Sequence, residues 1–223
     1  GAHMGHKESI ADTARVLSRF YDGIQYRGSR QSIVETLAAH SSVPVWNGLT
    51  DEWHPTQSLC DMFTMRESSG LDDRDISFAY VGDARFNQGR SLLIAGAMMG
   101  MDVRIVAPAA LQPDPDLVAV ARRIGAGTGA RVTITEDVSA VRAVDFVHTD
   151  IWVSMGEPKQ VWAERIDLLT PYRVTTELLE RTENPDVKFM HCLPSYHDLD
   201  TTVSQQIFDE TGKEVFEVTE EVF

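Results

Sequence analysis

Basic residues are scarce in this chain. Only 20 Lys and Arg stand against 34 Asp and Glu over 223 residues, for a formal net charge of −14 at pH 7. Such an excess of acid leaves no uniformly basic face for nucleic acid or for an anionic membrane surface. Long hydrophobic runs are also missing: none approaches the roughly 18–20 residues of a membrane-spanning helix. Cysteine is down to two, Cys60 and Cys192, far apart and without CxxC or Cys/His finger spacing. That argues against a disulfide framework and a structural zinc site, and it points to a cytoplasmic protein. No GxGxxG stands between a strand and a helix, so a nicotinamide cofactor is not supported. Internal repeats and low-complexity stretches are absent too. The opening Gly1-Ala2-His3-Met4 resembles a tag-cleavage scar and is set aside from fold reasoning, and no secretory signal follows it.

What remains is an ordinary globular composition, 43% hydrophobic and 24% charged, which is enough apolar material to fold around a core. The pattern predicts a helix over 10–20, a short strand at 23–27, a helix at 31–40, a strand at 43–46 and a helix opened by Pro55 and running to about 68. A regular alternation then begins. Strands are expected at 76–81, 103–107, 131–135, 144–148 and 187–191. Helices fall between them at about 88–99, 115–124, 138–142, 159–168 and 176–181. The strands are apolar with little alternation, which predicts an α/β fold with a doubly wound, mostly parallel sheet covered on both faces. Near the end, 215–218 reads as strand-like. The eight acidic residues between Asp198 and Phe223 read as a solvated face.

In a doubly wound sheet, ligands bind beyond the carboxyl ends of the strands. Four clusters lie there: His54-Pro-Thr-Gln57, Gly82-Asp-Ala-Arg-Phe-Asn87, Asp150-Ile-Trp-Val-Ser-Met-Gly156 and His191-Cys-Leu-Pro194. Each has a plainer alternative. His54 is either a ligand group at a helix start, where free N–H groups favour anions, or a surface cap. Arg27 is a cleft cation or a surface guanidinium. Asp150 grips an ammonium or caps a helix. Cys192 is reactive or simply buried, and His191 is not its base, because successive strand residues point to opposite sides. Gly125-Ala-Gly-Thr-Gly129 ends a helix and precedes a strand. It is therefore a helix stop, not a phosphate loop.

Together the clusters resemble the ornithine branch of the aspartate/ornithine carbamoyltransferase family. The likeness extends through Tyr21-Asp-Gly-Ile-Gln-Tyr-Arg-Gly28 and Val43-Pro-Val-Trp-Asn-Gly-Leu49. It implies a Rossmann-like ornithine-binding domain over 58–223 and part of a carbamoyl-phosphate domain over 5–57. The implied reaction is carbamoyl transfer from carbamoyl phosphate to the δ-amine of L-ornithine, with no cofactor and no metal. Carried over by motif, Arg27, His54, Pro55, Thr56 and Gln57 would hold carbamoyl phosphate. Asn87, Asp150, Ser154 and Met155 would hold ornithine, with Cys192 and Leu193 lining the reacting centre. Arg27, His54, Gln57 and Cys192 are the catalytic set.

Phe86 departs from the asparagine expected there. The family's Ser-x-Arg-Thr-Arg phosphate cradle and its C-terminal helices find no match, so the chain is expected to be truncated at both ends and nearly inactive by itself. The intact protein is expected to be a homotrimer or a multiple of trimers. A putrescine or N-acylornithine carbamoyltransferase, or a shortened non-catalytic relative, stands as the alternative.

Overall fold

A computed structural model describes residues 7–153 and 161–223. The N-terminal portion begins with helix α1 (Ile10–Leu17), started by Ser9, whose Oγ accepts the Asp12 N–H at 3.0 Å. Strand β1 (Ile24–Arg27), helix α2 (Gln31–His40) and strand β2 (Val45–Leu49) follow. The two strands pair in parallel, and Ala14, Tyr26, Val34 and Leu37 close a small core beside them. Helix α3 (Pro55–Ser69) has proline in its first turn and stops at Gly70 in the left-handed conformation. It carries the chain across the expected domain boundary after residue 57, and Met62 and Met65 pack into the larger core beyond.

That larger portion is built from β3 (Ser77–Val81), α4 (Asn87–Met99), β4 (Asp102–Val106), α5 (Pro115–Thr128), β5 (Arg131–Thr135) and β6 (Phe146–Thr149). It continues with α6 (Trp162–Leu169), α7 (Thr176–Glu180), β7 (Lys188–His191) and α8 (Thr202–Thr211). Its five strands are all parallel, in the order β5-β4-β3-β6-β7. Every residue of β3 is buried. Phe78 and Tyr80 join α3, α4 and α5 on one face. Ala79 and Val81 join Val147, Tyr172 and Leu178 on the other. Both faces are apolar, which is why the strands show so little alternation in sequence. Among the described residues no helix is long and apolar enough to cross a membrane.

Three local expectations are corrected. Residues 215–218 form no strand: Val218 makes a single bridge to Val174. The carbonyls of Glu214 and Phe216 are taken by the Arg173 guanidinium, at 3.3 and 2.7 Å, and not by a neighbouring strand. Helix α8 stands in the acidic segment where none was read, capped by Thr201, whose hydroxyl accepts from the Ser204 N–H. Helix α5 runs through Gly125 and Gly127 and stops only at Gly129, at φ 90°.

Gly89 fixes where α4 meets the sheet. A Cβ there would lie 2.6 Å from the Ala84 Cα, so Gly89→Ala should lower stability by about 1–3 kcal/mol through overpacking. A Cβ added at Gly127 would meet nothing within 4 Å, and Gly127→Ala in the same helix-interior setting should raise stability by about 0.5–1 kcal/mol. Urea unfolding of the two variants checks both signs.

Candidate functional site

The order of the strands decides where the site lies. From β3 the chain winds outward through β4 and β5, and from β6 it winds the other way to β7. The loops leaving β3 and β6 therefore diverge and open a crevice beyond their carboxyl ends. In the first loop, Asp83 is buried and pairs with Arg85 at 2.7 Å and with Arg165 at 3.9 Å. It also accepts the Arg85 backbone N–H, which tightens the turn into α4. Asn87, the first residue of α4, donates from Nδ2 to the Thr50 carbonyl at 2.7 Å. Asp150 follows β6 directly. It accepts the Ile151 N–H at 2.8 Å and the Cys192 thiol at 3.5 Å.

A cleft of about 580 Å³ opens here, lined by Arg27, Leu49, Asp51, His54, Phe86, Asn87, Asp150, Cys192 and Leu193 among others. The structure thus brings Arg27 and His54, from the N-terminal portion, to the same opening as Asn87, Asp150, Cys192 and Leu193. Three expected residues are not on the lining. Pro55 starts α3, and the Thr56 hydroxyl is turned to the Gly48 carbonyl at 3.2 Å. Gln57 donates to Asp61 at 2.8 Å. Ser154 and Met155 lie outside the described residues. Phe86, 43% exposed on the cleft wall, has the guanidinium of Arg85 at 5.2 Å and that of Arg165 at 5.6 Å from its ring centre.

The electrostatics of the cleft are uneven. Burial, reinforced by the Arg27 charge and opposed by Asp61, depresses the His54 pKa and favours the neutral ring at pH 7. Burial pushes the Asp150 carboxyl up to about 6, although His191 and the hydrogen bonds from Ile151 and Cys192 pull it back. The Cys192 thiol is driven up by burial and by the Asp150 charge, so it stays protonated and is no ready nucleophile.

Behind Asp150 lies an ion pair that the acidic-face reading misplaced. Glu217 is fully buried. Its Oε1 accepts from His191 Nε2 at 3.0 Å, from the Ser195 hydroxyl at 3.1 Å and from the Tyr196 N–H at 2.6 Å. His191 Nδ1 also contacts the Cys192 carbonyl. Both ring nitrogens thus face acceptor oxygens, an arrangement that favours the protonated ring. Burial opposes that charge, but Glu217 and Asp150 outweigh it and hold the His191 pKa above the usual histidine value. One signal for Glu217 was present in the sequence: an acid set among Val215, Phe216 and Val218.

Among the described residues, two groups of side chains bring metal-type ligand atoms within 4.8 Å of one another, Asp150–His191–Cys192 and His197–Asp198–Glu220. In the first, both imidazole nitrogens are already engaged and the thiol is protonated, whereas a metal needs a free ring nitrogen and a thiolate.

Comparison with known proteins places this geometry. Residues 74–222 match the family described as "Aspartate/ornithine carbamoyltransferase, Asp/Orn binding domain", and residues 1–67 match its carbamoyl-P binding domain. A catabolic ornithine carbamoyltransferase of Rhizobium meliloti is 57% identical over 100% of this chain and 67% of its own length. An ornithine carbamoyltransferase of Neisseria animalis is 59% identical over 98% of this chain and 95% of the relative. The solved ornithine carbamoyltransferase of Pyrococcus furiosus superposes with a TM-score of 0.83 at 37% identity, covering 97% of this chain and 63% of that one. The chain thus spans about two thirds of the length of several proteins it matches.

Removing Glu217 would strand a buried imidazolium and the Tyr196 N–H. Glu217→Ala is expected to cost about 3–5 kcal/mol in urea unfolding at pH 6. The His191 pKa is raised on folding, so this contribution is complete below the unfolded histidine value and is lost as pH rises through the folded one. The gap between the two proteins should therefore narrow at alkaline pH. A gap under about 1 kcal/mol at pH 6 would contradict the ion pair.

Proposed function

The chain belongs to the aspartate/ornithine carbamoyltransferase family, and from that we propose that its cleft transfers the carbamoyl group of carbamoyl phosphate to the δ-amine of L-ornithine, giving L-citrulline and phosphate. The observation that carries the ornithine choice is Asp150, a carboxylate set on the cleft wall beyond β6, with Asn87 across the crevice. A carboxylate attracts the α-ammonium of an amino acid, and it repels a substrate whose side chain ends in a second carboxylate. Asn87, Asp150, Ser154 and Met155 hold the amino-acid end of ornithine in this reading, and Phe86 forms the wall beside it. The residues of 5–57 supply the carbamoyl-phosphate half.

The chemistry asks little beyond placement. The uncharged δ-amine attacks the carbamoyl carbon, a C–N bond forms, the C–O bond to phosphate breaks, and the amine proton leaves with the phosphate. Negative charge gathers on the carbonyl oxygen as the bond forms. The Arg27 guanidinium and the neutral His54 ring are donors on the same cleft wall and stabilise that charge. Gln57, three residues beyond His54 on the same helix, takes the carbamoyl amide. Cys192, its thiol held by Asp150, lines the reacting centre and keeps the amine against Leu193. Holding two small substrates in line removes much of the entropic barrier. Both substrates bring the bonds that are made and broken, so no cofactor or metal enters the scheme. The intact enzyme is read as a cytoplasmic homotrimer, on the strength of the sequence resemblance.

Ornithine binding followed by calorimetry tests the reading on the ornithine side alone. The Asp150 carboxyl must be ionised to hold an ammonium, so affinity should fall as pH drops through about 6. Asp150→Asn should weaken binding about 10–100-fold at pH 8, the value of a charged hydrogen bond, and flatten the pH profile. In the full-length protein citrulline should form from ornithine and carbamoyl phosphate, with no product when aspartate replaces ornithine. Equal affinity for ornithine and aspartate would sink the assignment.

A further inference from the structure

Asp61 is a buried carboxylate that the scheme above does not use. It sits one turn beyond Gln57 on α3 and faces α4, and each of its oxygens is taken. Oδ1 accepts Gln57 Nε2 at 2.8 Å, and Oδ2 accepts Gln88 Nε2 at 2.9 Å. Both Asp61 and Gln88 are buried, and the Gln88 Oε1 has no partner among the described residues. The Gln88 amide is therefore committed to Asp61 at the expense of its own oxygen, which is a costly arrangement unless the grip on Asp61 matters.

An ionised carboxylate has no proton to donate, so each amide must present its NH₂ to it. For Gln57 this settles an orientation that an amide otherwise leaves open. Nε2 is turned inward to Asp61, and Oε1, on a half-buried side chain, has no partner among the described residues. His54 lies three residues earlier, so the two side chains share one face of the helix start. One offers a ring N–H and the other a carbonyl oxygen. That pairing complements a group that carries C=O and NH₂ side by side.

We propose that Asp61, gripped from α4 by Gln88, is a positioning residue that fixes the Gln57 amide with its oxygen toward the substrate and so makes the site select a carbamoyl group over an acyl group without the NH₂. The inference rests on the carbamoyl-transfer reading and names how the donor substrate is recognised. It also ties the two halves of the cleft. The same first turns of α4 that carry Asn87 bind the 50–54 loop through Asn87 to the Thr50 carbonyl at 2.7 Å and through Ser91 Oγ, which accepts the His54 N–H at 2.8 Å. A shift of α4 on ornithine binding would be felt at Gln57 through Asp61.

The test, run on the full-length protein, compares two ligands, phosphonoacetamide and acetonylphosphonate, the second of which carries a methyl group in place of the NH₂. At pH 8 the wild-type protein should prefer the amide by at least about tenfold, the value of one hydrogen bond to a well-placed acceptor. In Asp61→Asn, the new amide can offer its own NH₂ to Gln57 Oε1, and Gln57 turns its NH₂ outward. The preference should then fall to within about threefold, with circular dichroism unchanged, whereas a purely structural role would weaken both ligands alike and keep their ratio. An unchanged ratio overturns the proposal.

A second measurement needs no variant. The side-chain NH₂ signals of Gln57 and Gln88 should shift together, with one midpoint, as Asp61 is protonated at acid pH. Separate midpoints, or a Gln57 signal that does not move, would also overturn it. If neither phosphonate binds the wild-type protein, the carbamoyl-phosphate reading fails, and the shared midpoint of the two amides still decides whether Asp61 orients Gln57.

Discussion

Parallel strands that wind in opposite directions from an adjacent pair cannot close over their own carboxyl ends. Here that pair is β3 and β6, and the crevice between their exit loops is the constraint on which the rest of the molecule depends. The apolar faces of the sheet bury Phe78, Tyr80, Ala79 and Val81 on both sides, so the only polar groups the sheet can offer a ligand lie at its rim. Asp150 and the turn from Gly82 to Asn87 occupy that rim, and the N-terminal portion brings Arg27 and His54 across to face them.

The charges around the crevice form a gradient. Glu217 is buried and compensates His191, His191 lies near Asp150, and Asp150 faces the opening. The inner pair is held by direct hydrogen bonds, while the outer carboxylate keeps a desolvation penalty that His191, Ile151 and Cys192 offset in part and an incoming cation relieves further. A group raised to about 6 by burial is one that gains when an ammonium arrives. On the other wall the balance is reversed: burial and the Arg27 charge keep His54 neutral, which suits a donor that must not compete with the substrate for a proton. Helix α4 joins the two walls through Asn87, Gln88 and Ser91.

The sheet was legible in the sequence because its central strands β3, β4 and β6 are buried on both faces and read as short apolar runs between helices. The site clusters were legible because strand ends are where a doubly wound sheet must put them. What stayed hidden depends on contacts distant in sequence. The Asp61–Gln88 bond joins residues 27 apart, with no local motif to announce it. Residues 215–218 have a strand's composition, yet Arg173 takes the carbonyls of Glu214 and Phe216, and pairing stops at the single Val174–Val218 bridge. Helix α8 is rich in threonine, serine and glutamine, whose weak periodicity left its Thr201 cap as the one local sign of it. Glu217 was counted with the exposed acid because charge is read by sum along a segment, whereas burial is decided residue by residue.

A bisubstrate analogue, with a phosphonoacetyl group carried on the δ-nitrogen of L-ornithine, reaches across both walls and so tests the central claim in one crystal structure of the complex. The account predicts the amino-acid end against Asn87 and Asp150, the amide carbonyl within hydrogen-bond reach of Arg27 and His54, and the amide lying beside Cys192. An analogue seated outside the β3–β6 crevice, or bound there with its phosphonate against Asp150, would contradict it.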